Sequence, residues 1–117
     1  MHIDFYNKYE RIAEIDFDPL AESVSNYKTY TDNIIFLPFG VCKTPDYRFL
    51  CEYFKSRCWD PSRPDIDRIL DKLGLDYFEP LAIVKKTHGL MFKDFLWMKF
   101  DSDPEDLTYD KIKVRTD

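Results

Sequence analysis

A chain of 117 residues, 44% hydrophobic and 17% aromatic, is long enough for one compact domain with a real core and too short for two. Its net charge of −5 argues against a general nucleic-acid binder, because nonspecific affinity comes from Lys and Arg neutralising phosphates; an acidic surface serves solubility first and suits a basic partner second. No apolar segment approaches the roughly 20 residues needed to cross a bilayer, so no membrane span is expected.

Met1 to Phe5 join no basic patch to a long apolar run, so no export signal is expected and the chain is placed in the cytoplasm. Three cysteines cannot all pair, and in that compartment the thiols stay reduced. Ten Phe, eight Tyr and two Trp are more rings than a small core absorbs, and exposed Tyr and Trp favour a binding surface.

Glu10 to Phe17 alternates imperfectly, with Ile12, Ile15 and Phe17 apolar and Glu10, Glu14 and Asp16 charged, which predicts a strand with one wet face. Asp18 to Asn33 is polar without helical period and reads as a loop, with Tyr27 to Tyr30 open to a short edge strand. Ile34 to Leu37 is β-branched and aromatic and stops at Pro38 and Gly40, the pattern of a buried strand and a turn. Thr44 before Pro45 predicts a helix over 45–57: the hydroxyl caps free N–H groups, and proline at the first position has no N–H to waste. Phe49, Leu50, Tyr53 and Phe54 give that helix one stripe toward the core, and Trp59 to Ser62 break it.

Ser62 or Arg63 ahead of Pro64 predicts a second helix over 64–73, with Ile66, Ile69, Leu70 and Leu73 on one face. Gly74 suits a left-handed cap, with Leu75 folding back on the last turn. Asp76 and Glu79 resemble a capping box for a third helix over 77–87; Pro80 is tolerated in its first turn, Leu81 and Val84 face inward, and Lys85 and Lys86 meet its negative end before Gly89 stops it. Leu90 to Phe95 is apolar and irregular. Leu96 to Phe100 predicts a strand with Trp97 and Lys99 on one side and Leu96, Met98 and Phe100 on the other, buried side. An acidic run at Asp101, Asp103, Glu105 and Asp106 follows, then a turn over 108–112 and a basic end at Lys111, Lys113 and Arg115. The expected fold is α+β, a small antiparallel sheet packed against three helices. It forms a single domain over 1–117, with a helical core 45–88, a closing strand 96–100 and an acidic C-terminal tail 101–117.

Cys51 and Cys58 share a helix face, Cys42 lies just before that helix, and His88 sits at the end of the third, which is chemically a zinc set. Structural zinc takes ligands in pairs two to four residues apart; this spacing has no such pair and favours buried cysteines acting as small apolar residues, with no cofactor. A cysteine nucleophile needs a base, and His88 stands in the context of a helix end. There is no glycine-rich phosphate loop or nucleophile elbow, so no catalytic residue and no enzymatic activity are expected.

The helix pair 64–73/77–87, joined by Gly74, Leu75 and Asp76, resembles a helix-turn-helix. Tyr77, Phe78, Glu79 and Pro80 would meet base edges there, with only Lys85 and Lys86 for phosphate, so direct nucleic-acid binding is disfavoured. Arg48, Lys55, Arg57 and Arg63 collect positive charge at the first helix, opposite to the acidic strand and tail, a polarity that helps docking. The expected partner contacts are Trp59 in its Pro-rich loop, Tyr77, Phe78, and the acidic Asp101, Asp103, Glu105 and Asp106.

The order Leu37, Pro38, Gly40, then Arg57, Pro61, Ser62, Arg63, then Leu73, Gly74, Leu75, then Gly89, Leu90, Asp94 and Trp97 resembles a small module carried on mobile elements of Firmicutes, sometimes found ahead of HipA-like kinase domains. The likeness covers 34–100 and rests on caps, turns and a closing strand. It implies a noncatalytic accessory or partner-binding module and transfers no catalytic residue. By size and charge, and by no motif, the chain is also similar to anti-CRISPR proteins. The expected function is therefore a non-enzymatic phage or integrative-element protein that binds and inhibits or regulates a host nucleic-acid-handling protein. The alternative is a DNA-binding regulator or toxin-antitoxin accessory module using the helix pair.

Overall fold

The computed structural model describes residues 1–91 and 93–112; the expected basic end at Lys113 and Arg115 lies outside them, as does Phe92 of the irregular apolar segment. Four strands, β1 (His2–Asn7), β2 (Glu10–Asp18), β3 (Ser23–Thr29) and β4 (Leu96–Phe100), form one antiparallel sheet in the order β3-β2-β1-β4. Three main helices, α1 (Tyr47–Ser56), α2 (Ile66–Leu73) and α3 (Pro80–Thr87), connect β3 to β4, and a single turn, α4 (Tyr109–Ile112), follows. The expected α+β architecture is thus the observed one. No helix among the described residues is long and apolar enough to cross a membrane.

The core lies on one face of the sheet. Ile3 and Phe5 from β1, Ala13, Ile15 and Phe17 from β2, and Met98 and Phe100 from β4 are buried in one cluster with Leu50 and Phe54 of α1 and Val84 of α3. Cross-strand register makes this possible: Ile3 stands opposite Ile15 and Phe100, and Phe5 opposite Ala13 and Met98. Phe5 meets Tyr53 edge-on at 5.6 Å, and Phe17 meets Phe54 at 6.0 Å. Each such ring contributes about 1.5–3 kcal/mol by leaving water.

Several boundaries differ from expectation, each for a local reason. β1 adds a strand before the expected first one, its Ile3 and Phe5 alternating with His2 and Asp4 over a stretch too short to stand out. The edge strand expected at Tyr27 to Tyr30 is the longer Ser23–Thr29. Ile34 to Leu37 is not a buried strand: the Asn33 side chain accepts from Ile35 N, Phe36 N and Leu37 N close successive turns, and Ile34 and Ile35 are exposed. The cap of α1 is Asp46 rather than Thr44, because its carboxylate accepts from Phe49 N at 2.9 Å, so the helix opens at Tyr47 rather than Pro45. α2 opens after Asp65 rather than at Ser62 or Arg63.

At α3 the cap is Glu79, which accepts from Ala82 N at 2.6 Å, and Pro80 takes the first position. The helix accordingly starts at Pro80 rather than Tyr77, and the link from α2 is longer than the three-residue turn of a helix-turn-helix. Gly74 does adopt the left-handed conformation (φ 75°), and Leu75 N reaches back to Leu70 O at 2.9 Å. Trp97 is buried as well, although it shares the outer side of β4 with Lys99.

The helical layer is locked to β4 by one side chain. Arg57, at the C-terminal end of α1, is 7% exposed; its Nε donates to Gly89 O (2.7 Å), its Nη1 and Nη2 grip Asp94 (2.9 and 2.8 Å), and Nη2 also donates to Leu96 O (3.0 Å). Burial pushes the Asp94 carboxyl up, but the bonds from Arg57 outweigh it and hold the group below its ordinary range. His88 and Gly89 end α3 in left-handed conformation (φ 59° and 69°), and Met98 N donates to His88 O at 2.8 Å. A Cβ on Gly89 would strike Met98 Cε, so glycine is required there for space as well as for φ.

Candidate binding face

The outer face of the sheet carries a polar lattice set by the same register that builds the core. One row runs Lys28, Glu14, Asp4, Lys99 across the four strands, and the next pairs Ser25, Asp16 and His2. Arg11 donates from Nε to Asp4 (3.2 Å) and from Nη2 to Glu14, which also accepts from the Tyr30 hydroxyl. His2 Nδ1 lies 2.5 Å from Asp16 and Nε2 3.1 Å from Asp4, and the protonated ring donates to both. Partial burial pulls the His2 pKa down, but the hydrogen bonds to Asp16 and Asp4 win and raise it above 6.5. Bonds from Asn26 and His2 hold Asp16 below its usual range.

His2, Asp4 and Glu14 are the set of potential metal donors the fold assembles among the described residues, with ligand atoms within 4.8 Å of one another. Their charge is already answered by Arg11, which bridges the two carboxylates. The weaker zinc alternative has no such cluster: no three of Cys42, Cys51, Cys58 and His88 bring donors that close. Cys58 Sγ donates to Phe54 O (3.1 Å), and burial pushes its thiol up to about 12. His88 is 3% exposed and faces Met98 O (3.2 Å) and Asp103 (3.4 Å). The cysteines expected to be buried are all only half-buried; Cys58 alone packs against the core, and His88 is the buried member of the set.

Two clefts flank the lattice. At one end an open cleft of about 310 Å³ is lined by Met1, His2, Asp16, Asp18, Ser25 and Asp101, joining two carboxylates of β2 with the one that follows β4. Asp101 comes there because its N–H donates to His2 O at 3.0 Å, extending the β1–β4 pairing. At the other end, beside the β1–β2 turn, a cleft of about 190 Å³ lies among Tyr6, Tyr9, Trp97 and Tyr109. Leu107 to Tyr109 form its far wall and help bury Trp97.

The partner contacts expected from sequence divide between layers. Trp59 follows α1 and is half-buried; before α3, Phe78 is half-buried and Tyr77 is 70% exposed. Asp101, Glu105 and Asp106 are exposed after β4, but Asp103 is engaged in structure, accepting from Phe100 N at 2.8 Å. Asp106 pairs with Lys111 at 2.7 Å, and Lys99 Nζ donates to Glu105 O. Sequence reading missed Asp16, Asp18 and His2 as neighbours of Asp101; only strand register brings them together, and the alternation in β2 was the one available signal. Comparison with protein-family models, with curated proteins and with solved structures returns no match for this chain.

Proposed function

We propose that the chain is a non-enzymatic binding protein of the cytoplasm that docks on a basic surface of a host nucleic-acid-handling protein and inhibits or regulates it, in the manner of an anti-CRISPR protein from a phage or integrative element. The observation that carries this reading is the acidic cleft of the uncovered sheet face, where Asp16, Asp18 and Asp101 stand together with His2. Carboxylates so grouped attract a Lys- and Arg-rich channel and steer its approach. The resemblance to a partner-binding module of mobile elements points the same way, and its residues Arg57, Gly89 and Asp94 hold the helical layer to β4, leaving the outer face for recognition.

Affinity capture from host lysate, with bound protein and nucleic acid both identified, tests the reading. The expected result is a nucleic-acid-handling protein whose activity falls when the chain is added, and whose binding weakens at least tenfold with Asp16→Asn, Asp18→Asn and Asp101→Asn combined. Recovery of DNA alone, lost with Lys85 and Lys86 neutralised, would replace it with the DNA-binding reading.

A further inference from the structure

We propose that the aromatic cleft beside the β1–β2 turn is an anchor pocket for a guanidinium group, an arginine side chain inserted by the partner. Tyr6 and Trp97 lie ring against ring at 4.6 Å, and Tyr109 meets both Tyr9 (6.1 Å) and Phe95 (6.0 Å) edge-on. Tyr9 is 63% exposed and Phe95 52%, whereas Phe5 and Phe17 of the core are 1% and 3%. Two polar edges in the cleft are engaged: the Trp97 indole N–H donates to Lys8 O (2.8 Å), and the Tyr9 hydroxyl donates to Asp110 (2.7 Å). The rings of Tyr6, Tyr9 and Tyr109 also line the cleft, and ring faces attract cations.

The molecule displays that preference itself. Lys8 Nζ lies 5.5 Å from the Tyr9 ring centre and 5.2 Å from that of Phe95. A tethered ammonium is a weak resident, strongly drawn to water; a planar guanidinium is less hydrated, stacks on rings and displaces it. Near the wall at Leu107 to Tyr109, Asp106 is paired with Lys111 and Asp110 accepts from Tyr9, so the rings rather than net charge select the guanidinium. Aromatic pockets that close over a partner's arginine are where interface hot spots form. The inference rests on the proposed function only for the source of the arginine; the pocket can be probed without the host protein.

The test is an NMR titration of the intact chain with an oligo-arginine peptide, an oligo-lysine of equal length, and the neutral isostere oligo-citrulline, following the Trp97 indole N–H. Oligo-arginine is expected to shift that resonance and bind several-fold tighter than oligo-lysine, with citrulline inert. Tyr9→Ala and Phe95→Ala, both exposed positions, should each weaken binding about 3- to 10-fold, and Lys8→Gln should tighten it. Equal binding of citrulline overturns the inference. So does arginine binding that ignores Tyr9→Ala but vanishes with Asp16, Asp18 and Asp101 neutralised; that result moves the arginine to the acidic cleft and leaves the proposed function standing. Failure to capture any host protein, with the arginine titration as expected, sinks the host reading alone.

Discussion

The two faces of the sheet are built from the same strands, residue by alternate residue, yet they obey different rules. The inner face is apolar, covered by α1 and α3, and closed at its rim by a single buried arginine. The outer face is a lattice of charges that water still reaches, with clefts at both ends. Several residues that carry the resemblance to a mobile-element module fall on the inner side and its rim, Arg57 and Asp94 in the ion pair and Gly74 and Gly89 in left-handed turns, whereas Trp97 stands on the outer side. Fold and recognition are therefore separable here, and variants should sort by face.

The largest loss is expected at the rim. Arg57→Ala removes every bond to Gly89, Asp94 and Leu96 and strands a half-buried carboxylate, at a cost of about 3–5 kcal/mol in urea unfolding. A cost below about 1 kcal/mol would show that the rim does not hold the layers together. Next comes Gly89→Ala, which meets both a left-handed backbone and Met98 Cε; about 1–3 kcal/mol is expected by thermal unfolding, partly restored by trimming Met98.

On the outer face the effects shrink and change kind. His2 has a raised pKa in the folded chain, so its stabilising bonds are fully present below pH 6.5 and are lost as pH rises through the folded value. With the ring partly in water the effect is under about 1 kcal/mol, seen as a lower melting temperature at pH 8 than at pH 6 that His2→Gln abolishes. Smallest for the fold are Asp101→Ser and Glu105→Ser, expected to leave the melting temperature unchanged while weakening capture of a basic partner. A change in melting without a change in capture would merge the two faces into one structural unit.

Legibility in the sequence followed the same divide. Local signals were readable: β4 appeared with its full bounds, Gly74 and Gly89 marked helix ends, and Leu50, Phe54 and Val84 were found on inward faces. Helix starts were displaced to the carboxylate nearest the free N–H groups, Asp46 rather than Thr44 for α1 and Glu79 rather than Asp76 for α3. Ile34 and Ile35 misled because an apolar run of that length does not say whether a strand is waiting beside it. The outer-face site was nearly invisible, since the meeting of His2 with Asp16 and of Asp101 with both is a property of register between distant segments. Trp97 was visible as a residue, whereas its cleft needed Tyr6, Tyr9 and Tyr109 to arrive from other parts of the chain.

The order β3-β2-β1-β4 has a consequence for how the protein is made. β1 is an interior strand whose second neighbour is β4, and the hydrogen bond from Trp97 to Lys8 closes a span of 89 residues. On the ribosome β1 and β2 emerge early as a hairpin with one edge bare, and that edge stays open until nearly all the helical layer has been synthesised. Such late closure carries a large entropic cost and slows folding. The nascent chain is thus a ready acceptor for a stray strand until β4 arrives, and its apolar Ile3 and Phe5 make prompt arrival matter.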